Sequence, residues 1–184
     1  MLNACSVATS LRAYLRRGGV IAYPTESCYG LGCDPRNRAA VQKILRLKQR
    51  PWHKGLILVA ANLAQVRRFI RPLSPAQHAT LNQHWPGPYT FLLPASQRAP
   101  KLVTGKHTSL AVRVSAHPMV ARLTQTLGPL VSTSANLAGG KSLTRYADVA
   151  RAFGNSVRVL PGRVGKRKMP SVIIDLQSGK KLRG

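Results

Sequence analysis

Apolar residues recur at helical spacing from Ser6 to Arg17, at Val7, Leu11, Tyr14 and Leu15, and the pattern stops at Gly18-Gly19; this predicts a first helix. Val20-Ile21-Ala22-Tyr23 then reads as a strand ended by Pro24, followed by a loop at Thr25-Glu26-Ser27 and a small-residue stretch through Gly30 and Gly32. Helical periodicity returns over Ala39–Leu47 and runs into Lys48-Gln49-Arg50-Pro51. The unbroken apolar run from Gly55 to Ala60 predicts a buried strand. Helices follow at Leu63–Ile70 and at Pro75–His84, the second capped by Ser74 with Pro75 in its first turn.

Beyond the turn Trp85-Pro86-Gly87-Pro88, strands are predicted at Tyr89–Leu93 and Ser109–Val114, and a helix at His117–Leu127 ending in Gly128-Pro129. A strand at Leu130–Thr133, a helix at Tyr146–Phe153 and a strand at Ser156–Leu160 come next. Ser171–Leu176 and Lys180–Arg183 read as two strands around Gln177-Ser178-Gly179. Some strands adjoin without an intervening helix, so the fold class expected is α/β, with a mixed sheet and helices packed on it. No repeat or interdomain linker interrupts residues 1–184, which read as one domain. Pro161–Met169 is the expected mobile basic loop.

Charge changes this picture most. The 184 residues carry 29 Lys and Arg against 4 Asp and Glu, a formal net charge of +25. Carboxylate pairs and carboxylate-rich metal sites are disfavoured, because Glu26, Asp34, Asp148 and Asp175 are far apart in sequence. Such a field attracts polyanions, whether nucleotides, RNA, DNA or an anionic membrane surface, or else forms a solvated coat. Cys5, Cys28 and Cys33 form no C-x-x-C pair, which fits a reducing, cytoplasmic setting, and the 5 histidines show no metal-ligand spacing. No metal site and no membrane span are expected.

Gly139-Gly140-Lys141-Ser142 suggests a phosphate loop, but Ala135 stands where the first glycine of that motif is needed. Lys48, Arg50 and Lys54 gather at a helix end and a strand entry, where they can cap the helix dipole or converge on a polyphosphate. Ser132-Thr133-Ser134-Ala135-Asn136 ends a buried strand, either to close a turn or to bind a ligand at the sheet's carboxyl edge. Arg113 interrupts the apolar strand Leu110-Ala111-Val112-Arg113-Val114 and requires an anion if buried, supplied by a ligand or by one of the four acids.

These segments together resemble the YrdC/TsaC family, the threonylcarbamoyl-AMP synthases. The resemblance is carried by Tyr23-Pro24-Thr25-Glu26 with Tyr29-Gly30-Leu31-Gly32-Cys33-Asp34, by Leu47-Lys48-Gln49-Arg50-Pro51 with Lys54-Gly55-Leu56, and by Trp85-Pro86-Gly87-Pro88 before Thr90. Ser109-Leu110-Ala111-Val112-Arg113, Ser134-Ala135-Asn136 and Pro170-Ser171-Val172-Ile173-Ile174-Asp175 complete it. It implies a YrdC-like twisted sheet with an open ligand cleft. The implied reaction is ATP-dependent formation of threonylcarbamoyl-adenylate from L-threonine and bicarbonate or CO2, with pyrophosphate released and magnesium carried on ATP. A threonylcarbamoyl-transferase complex would then pass the group to tRNA.

The family pattern places Lys48, Arg50, Lys54, Ser109, Ser134, Asn136, Ser142 and Arg183 at ATP or the adenylate, with Lys48 and Arg50 catalytic. It places Thr25, Arg113, Ser132 and Ser171 at threonine. Longer members carry a histidine where Val59 stands and an acid-Ser-Thr triplet where Pro170-Ser171-Val172 stands, and the scarcity of acids exceeds the family pattern. The competing expectation is a noncatalytic double-stranded RNA or rRNA binder acting in ribosome maturation, for which the charge alone suffices.

Overall fold

A computed structural model of the chain describes residues 4–137 and 139–183. Met1–Asn3, Ala138 and Gly184 lie outside the described residues, as do the side chains of residues 4–8, which include Cys5 and, from the predicted first helix, Ser6 and Val7. The helices are α1 (Ala4–Arg16), α2 (Arg38–Leu47), α3 (Pro75–His84), α4 (Lys101–Thr104), α5 (Pro118–Leu127) and α6 (Tyr146–Phe153). The strands are β1 (Ile21–Pro24), β2 (Tyr29–Gly32), β3 (Ile57–Ala60), β4 (Tyr89–Pro94), β5 (Ser109–Val114), β6 (Leu130–Ser134), β7 (Arg158–Val159), β8 (Val172–Asp175) and β9 (Lys181–Arg183).

Among the described residues these strands form one mixed sheet in the order β7-β1-β2-β6-β3-β5-β4-β8-β9. β3 runs parallel to β5, and β4 to β8, while β1–β2, β2–β6, β3–β6 and β4–β5 are antiparallel. Strand alternation then divides the side chains between two faces. Val20, Ala22, Leu31, Leu58, Ala60, Phe91, Leu93, Leu110, Val112 and Val131 enter the larger core, which also receives Val41 and Ile44 of α2 and Val149 and Phe153 of α6. The opposite face carries Ile21, Tyr23, Val59 and Leu130, covered by Leu11 and Leu15 of α1 and Val120 and Leu123 of α5. α5 packs on β1 and β3. Beyond it, the same face presents Ser132 and Arg113 to a cavity.

Several predicted elements change. The sequence predicts an irregular small-residue stretch at β2 and gives no helical signal at α4. Gly32 explains β2: a Cβ there would lie 2.6 Å from the Val131 carbonyl and 2.7 Å from the Tyr23 ring, so the close approach of β6 and the buried tyrosine requires glycine. The predicted helix at Leu63–Ile70 is a 3₁₀ segment, Leu63–Phe69, opened by Asn62, whose side chain accepts from the Gln65 amide. The segment expected to be a mobile basic loop is tied down by backbone pairing. Gly165 N–H donates to Thr25 O at 2.9 Å, Arg167 N–H donates to Glu26 O at 3.0 Å, and the Tyr29 hydroxyl donates to Gly162 O at 2.8 Å. Among the described residues no helix is long and apolar enough to cross a membrane.

Candidate active site

The end of α2 is shaped by one residue between two cations. The Gln49 amide donates to Arg46 O at 3.0 Å and the Arg50 amide to Leu45 O at 2.9 Å, the paired bonds of a Schellman cap. Gln49 takes the left-handed conformation that this cap requires, at φ 46°. The chain thereby reverses between Lys48 and Arg50 and sends them along different paths.

Lys48, only 9 % exposed, turns to the far end of β6. Its ammonium donates to Asn136 O at 2.7 Å and also to Asn136 Oδ1. The same Oδ1 accepts from Ser134 Oγ at 2.7 Å, while Asn136 Nδ2 donates to the carbonyls of Leu137 and Gly140, both at 2.9 Å. Burial, with the Arg50 charge adding to it, pulls the Lys48 pKa down to about 8 against the opposing influence of Cys28. Arg50 folds back on the following turn, its Nε donating to Gly55 O at 2.9 Å.

A cavity of about 270 Å³ is lined by eight of the twelve predicted site residues: Thr25, Arg50, Arg113, Ser132, Ser134, Ser142, Ser171 and Arg183. Lys48 and Asn136 are outside its lining and act on it through Ser134. Lys54, exposed on the 3₁₀ turn Trp52–Lys54, and Ser109, at the start of β5, do not line it. Sequence reasoning missed Ser27, Cys28, Ser115 and Lys168 as wall residues, whereas Pro24-Thr25-Glu26, at a strand end, reads as either a turn or a site wall. Glu26 lay inside a motif already singled out, whereas Lys168 comes in only because its loop is strapped to Thr25 and Glu26.

The cations converge. Arg183 on β9 binds Ser171 O through Nε and Nη2, at 3.1 and 3.0 Å, and Ser171 Oγ at 3.0 Å, while Thr90 Oγ1 donates to Ser171 Oγ at 2.9 Å. Burial, followed by the charges of Arg113 and Arg50, pushes the Arg183 pKa down, so three guanidiniums share one electrostatic environment. Arginine keeps its charge in such surroundings, so the cavity presents fixed positive charge.

Arg113 already has one anion. Its Nη2 lies 2.5 Å from Glu26 Oε1, a close charge contact without good hydrogen-bond alignment, and its Nε donates to Gly87 O at 3.1 Å. Glu26 Oε1 also accepts from Ser115 Oγ at 2.7 Å and from the Ala116 amide at 3.2 Å. Burial on its own raises the Glu26 pKa, but Arg113 and Ser115 outweigh it and hold the carboxyl below its usual range. Of the two anions open to a buried Arg113, a ligand or one of the four acids, an acid is present: Glu26 and Gly87 O engage the guanidinium, which also lines the cavity.

Below this pair, the Tyr23 hydroxyl is fully buried and makes no well-formed hydrogen bond, and burial pushes its pKa upward. Cys28 and Cys33 are free thiols. Among the described residues no three His, Cys, Asp or Glu side chains gather as a metal site.

Among the described residues, a nine-stranded mixed sheet with a cation-lined serine- and threonine-rich cavity on one face defines an α/β ligand-binding protein. A family model described as "Telomere recombination" (Sua5_yciO_yrdC) matches residues 13–183, and the chain belongs to this family. It is 58 % identical over 172 residues to the threonylcarbamoyl-AMP synthase of Laribacter hongkongensis, covering 94 % of this chain and 93 % of the relative. It is 56 % identical over 173 residues to the protein of the same name from Chromobacterium violaceum, covering 94 % and 90 %. The crystal structure of P. abyssi Sua5 complexed with L-threonine superposes with a TM-score of 0.86 at 29 % identity, covering 96 % of this chain. This chain spans about half of that one, 52 %.

Proposed function

We propose that this chain is a threonylcarbamoyl-AMP synthase, which joins L-threonine, bicarbonate or CO2, and ATP into threonylcarbamoyl-adenylate and releases pyrophosphate. The observation that carries this reading is the cavity itself, where Arg50, Arg183 and Arg113 converge beside Thr25, Ser132, Ser134 and Ser171. It is supported by 58 % identity to a protein bearing that name and by the similarity to a Sua5 structure holding L-threonine. The described residues share one sheet, which supports reading 1–184 as a single YrdC-like domain whose cavity is the ligand cleft.

In this reading threonine's amine is first carboxylated. A carboxylate oxygen of that carbamate then attacks the α-phosphorus of ATP, and the bond to pyrophosphate breaks. Crowded negative charge is the barrier, so fixed cations and hydrogen-bond donors supply the catalysis and no side-chain nucleophile is needed. Arg50 and Arg183 face the phosphates, with Ser142 as a hydroxyl donor and Ser134 beside it, its proton held by Asn136 Oδ1, while Lys48 fixes Asn136 and adds charge behind Ser134. Lys54 and Ser109 join the nucleotide end only from outside the cavity wall. Arg113, Thr25, Ser132 and Ser171 take threonine. Glu26, the acid in the cavity wall, is engaged by Arg113 and Ser115, so magnesium would be held by the ATP phosphates and water rather than by this chain, where it would offset phosphate charge.

The product would serve tRNA modification in the cytoplasm through a transferase complex. The +25 charge supports RNA contact, but a noncatalytic RNA binder has no use for the hydrogen-bonded Lys48–Asn136–Ser134 set. The test is to measure nucleotide products with and without L-threonine and bicarbonate. Pyrophosphate release that requires both is expected, and ATP consumption indifferent to threonine overturns the assignment.

A further inference from the structure

Among the described residues, Glu26 is the one acid lining a cavity whose other charged side chains are Arg50, Arg113, Lys168 and Arg183. In a chain with 4 acids against 29 Lys and Arg, an acid at that place runs against the whole charge pattern. Both members of the pair are well enclosed, with side-chain exposures of 11 % for Arg113 and 15 % for Glu26. The carboxylate is fixed from the other side by Ser115 Oγ at 2.7 Å and the Ala116 amide at 3.2 Å. Its backbone carbonyl is bound by the Arg167 amide at 3.0 Å. Ionisation of Glu26 at neutral pH follows from its cationic and hydroxyl neighbours.

The consequence is chemical asymmetry within one small space. Among the described residues, the hydrogen-bond partners of Arg50 and Arg183 are neutral oxygens, the carbonyls of Lys54 and Gly55 for one and the Ser171 oxygens for the other. Arg113 has its charge largely cancelled by Glu26. A phosphate group gains most where cations are unopposed. A zwitterion carries its own balancing charge and loses little where a cation and an anion already sit together. Specificity between two ligands sharing a cavity needs an element that repels the wrong one, and a carboxylate repels phosphate.

We propose that Glu26 is the specificity-determining residue of the amino-acid end: paired with Arg113, it reserves that end for a zwitterionic amino acid and excludes phosphate anions. The proposal rests on the threonine and ATP reading given above. Glu26 acts through charge, and Glu26→Gln keeps the shape and the acceptor for Ser115 while removing that charge.

Inorganic phosphate is the probe, titrated calorimetrically into the full chain without ATP. Wild-type protein is expected to bind phosphate weakly and independently of L-threonine. Glu26→Gln is expected to gain a phosphate site at least about tenfold tighter, from which L-threonine displaces the anion. In turnover the variant should show phosphate inhibition competitive with threonine and a raised threonine KM, with the ATP KM nearly unchanged. Phosphate binding identical to wild type, or equal increases in both KM values, overturns the proposal.

Should Glu26→Gln not fold, Ser115→Ala removes one of the two hydrogen bonds that hold the carboxylate, leaving the Ala116 amide, and is expected to admit phosphate to a smaller degree; no gain of phosphate binding there overturns the proposal equally. Calorimetry requires no turnover, so its outcome is separate from a failure of wild-type protein to make pyrophosphate with threonine, which would sink the reaction and not the charge argument.

Discussion

The Lys48 ammonium reaches across 88 residues of chain to the Asn136 carbonyl, at 2.7 Å, and so joins the end of α2 to the end of β6. The motif context predicts a Lys48 that faces phosphate directly. Its position behind Ser134 makes it both a charge and a tether for the hydroxyl and amide groups at that strand end.

That position makes the lysine sensitive to pH. With its pKa drawn from 10.5 down to about 8, Lys48 is a cation below about pH 8 and neutral above it. We expect kcat/KM for ATP to fall about tenfold per pH unit on the alkaline side of this transition. Lys48→Arg stays charged and should move the alkaline limb out of range, even with lower activity. For stability the sign is opposite. The unfolded chain binds the extra proton between about pH 8 and 10.5, so wild-type stability gains from Lys48 as pH rises through that window. Urea unfolding of Lys48→Met should lack this contribution.

Arg50 lines the cavity while bound to the Gly55 carbonyl at 2.9 Å. Arg50→Ala should lower adenylate formation on the order of a hundredfold, about 3 kcal/mol of lost transition-state stabilisation, with the fold retained. Steady-state rates alongside circular dichroism check this; turnover near wild type removes Arg50 from the phosphate end.

Arg113→Lys keeps a charge near Glu26 but loses the Nε contact with Gly87 O and the planar fork that can pair with a carboxylate. We expect the threonine KM to rise by about tenfold or more while the ATP KM changes little. Separate titrations of the two substrates against the folded variant decide it, and an unchanged threonine KM rules out the role.

Gln49 holds a left-handed conformation, φ 46°, that costs a side-chain-bearing residue roughly 1–2 kcal/mol. Gln49→Gly relieves it, at the cost of a more flexible unfolded chain. A net gain of about 0.5–1 kcal/mol in urea unfolding is expected. A loss of stability would mean that the Gln49 side chain contributes more than its backbone costs.

The charge of +25 exceeds what one nucleotide uses. RNA should bind without sequence preference and lose affinity steeply as salt rises, because each phosphate contact releases counterions. Filter binding across a salt series measures the slope, and a flat response would contradict the expectation.

Local sequence alone determined the elements whose signals are local. α3 begins at Pro75 because Ser74 and Gln77 close a capping box around it, and β5 and α6 occupy the ranges that their periodicity predicts. The conjunction of Lys48, Arg50, Ser134, Asn136 and Arg113 was legible too, through their motif context. Tertiary structure decided what depends on partners distant in sequence. β2, with two glycines in four residues, has weak strand propensity and exists because β1 and β6 pair with it on both sides. Lys54 and Ser109 share motifs with cavity residues, yet the 3₁₀ turn and the start of β5 leave them outside its lining. The anion that Arg113 required turned out to be Glu26, 87 positions earlier in the chain. No spacing rule relates the two; they meet because β5 and the turn after β1 end beside the same cavity, where a guanidinium enclosed without a counter-charge would be costly.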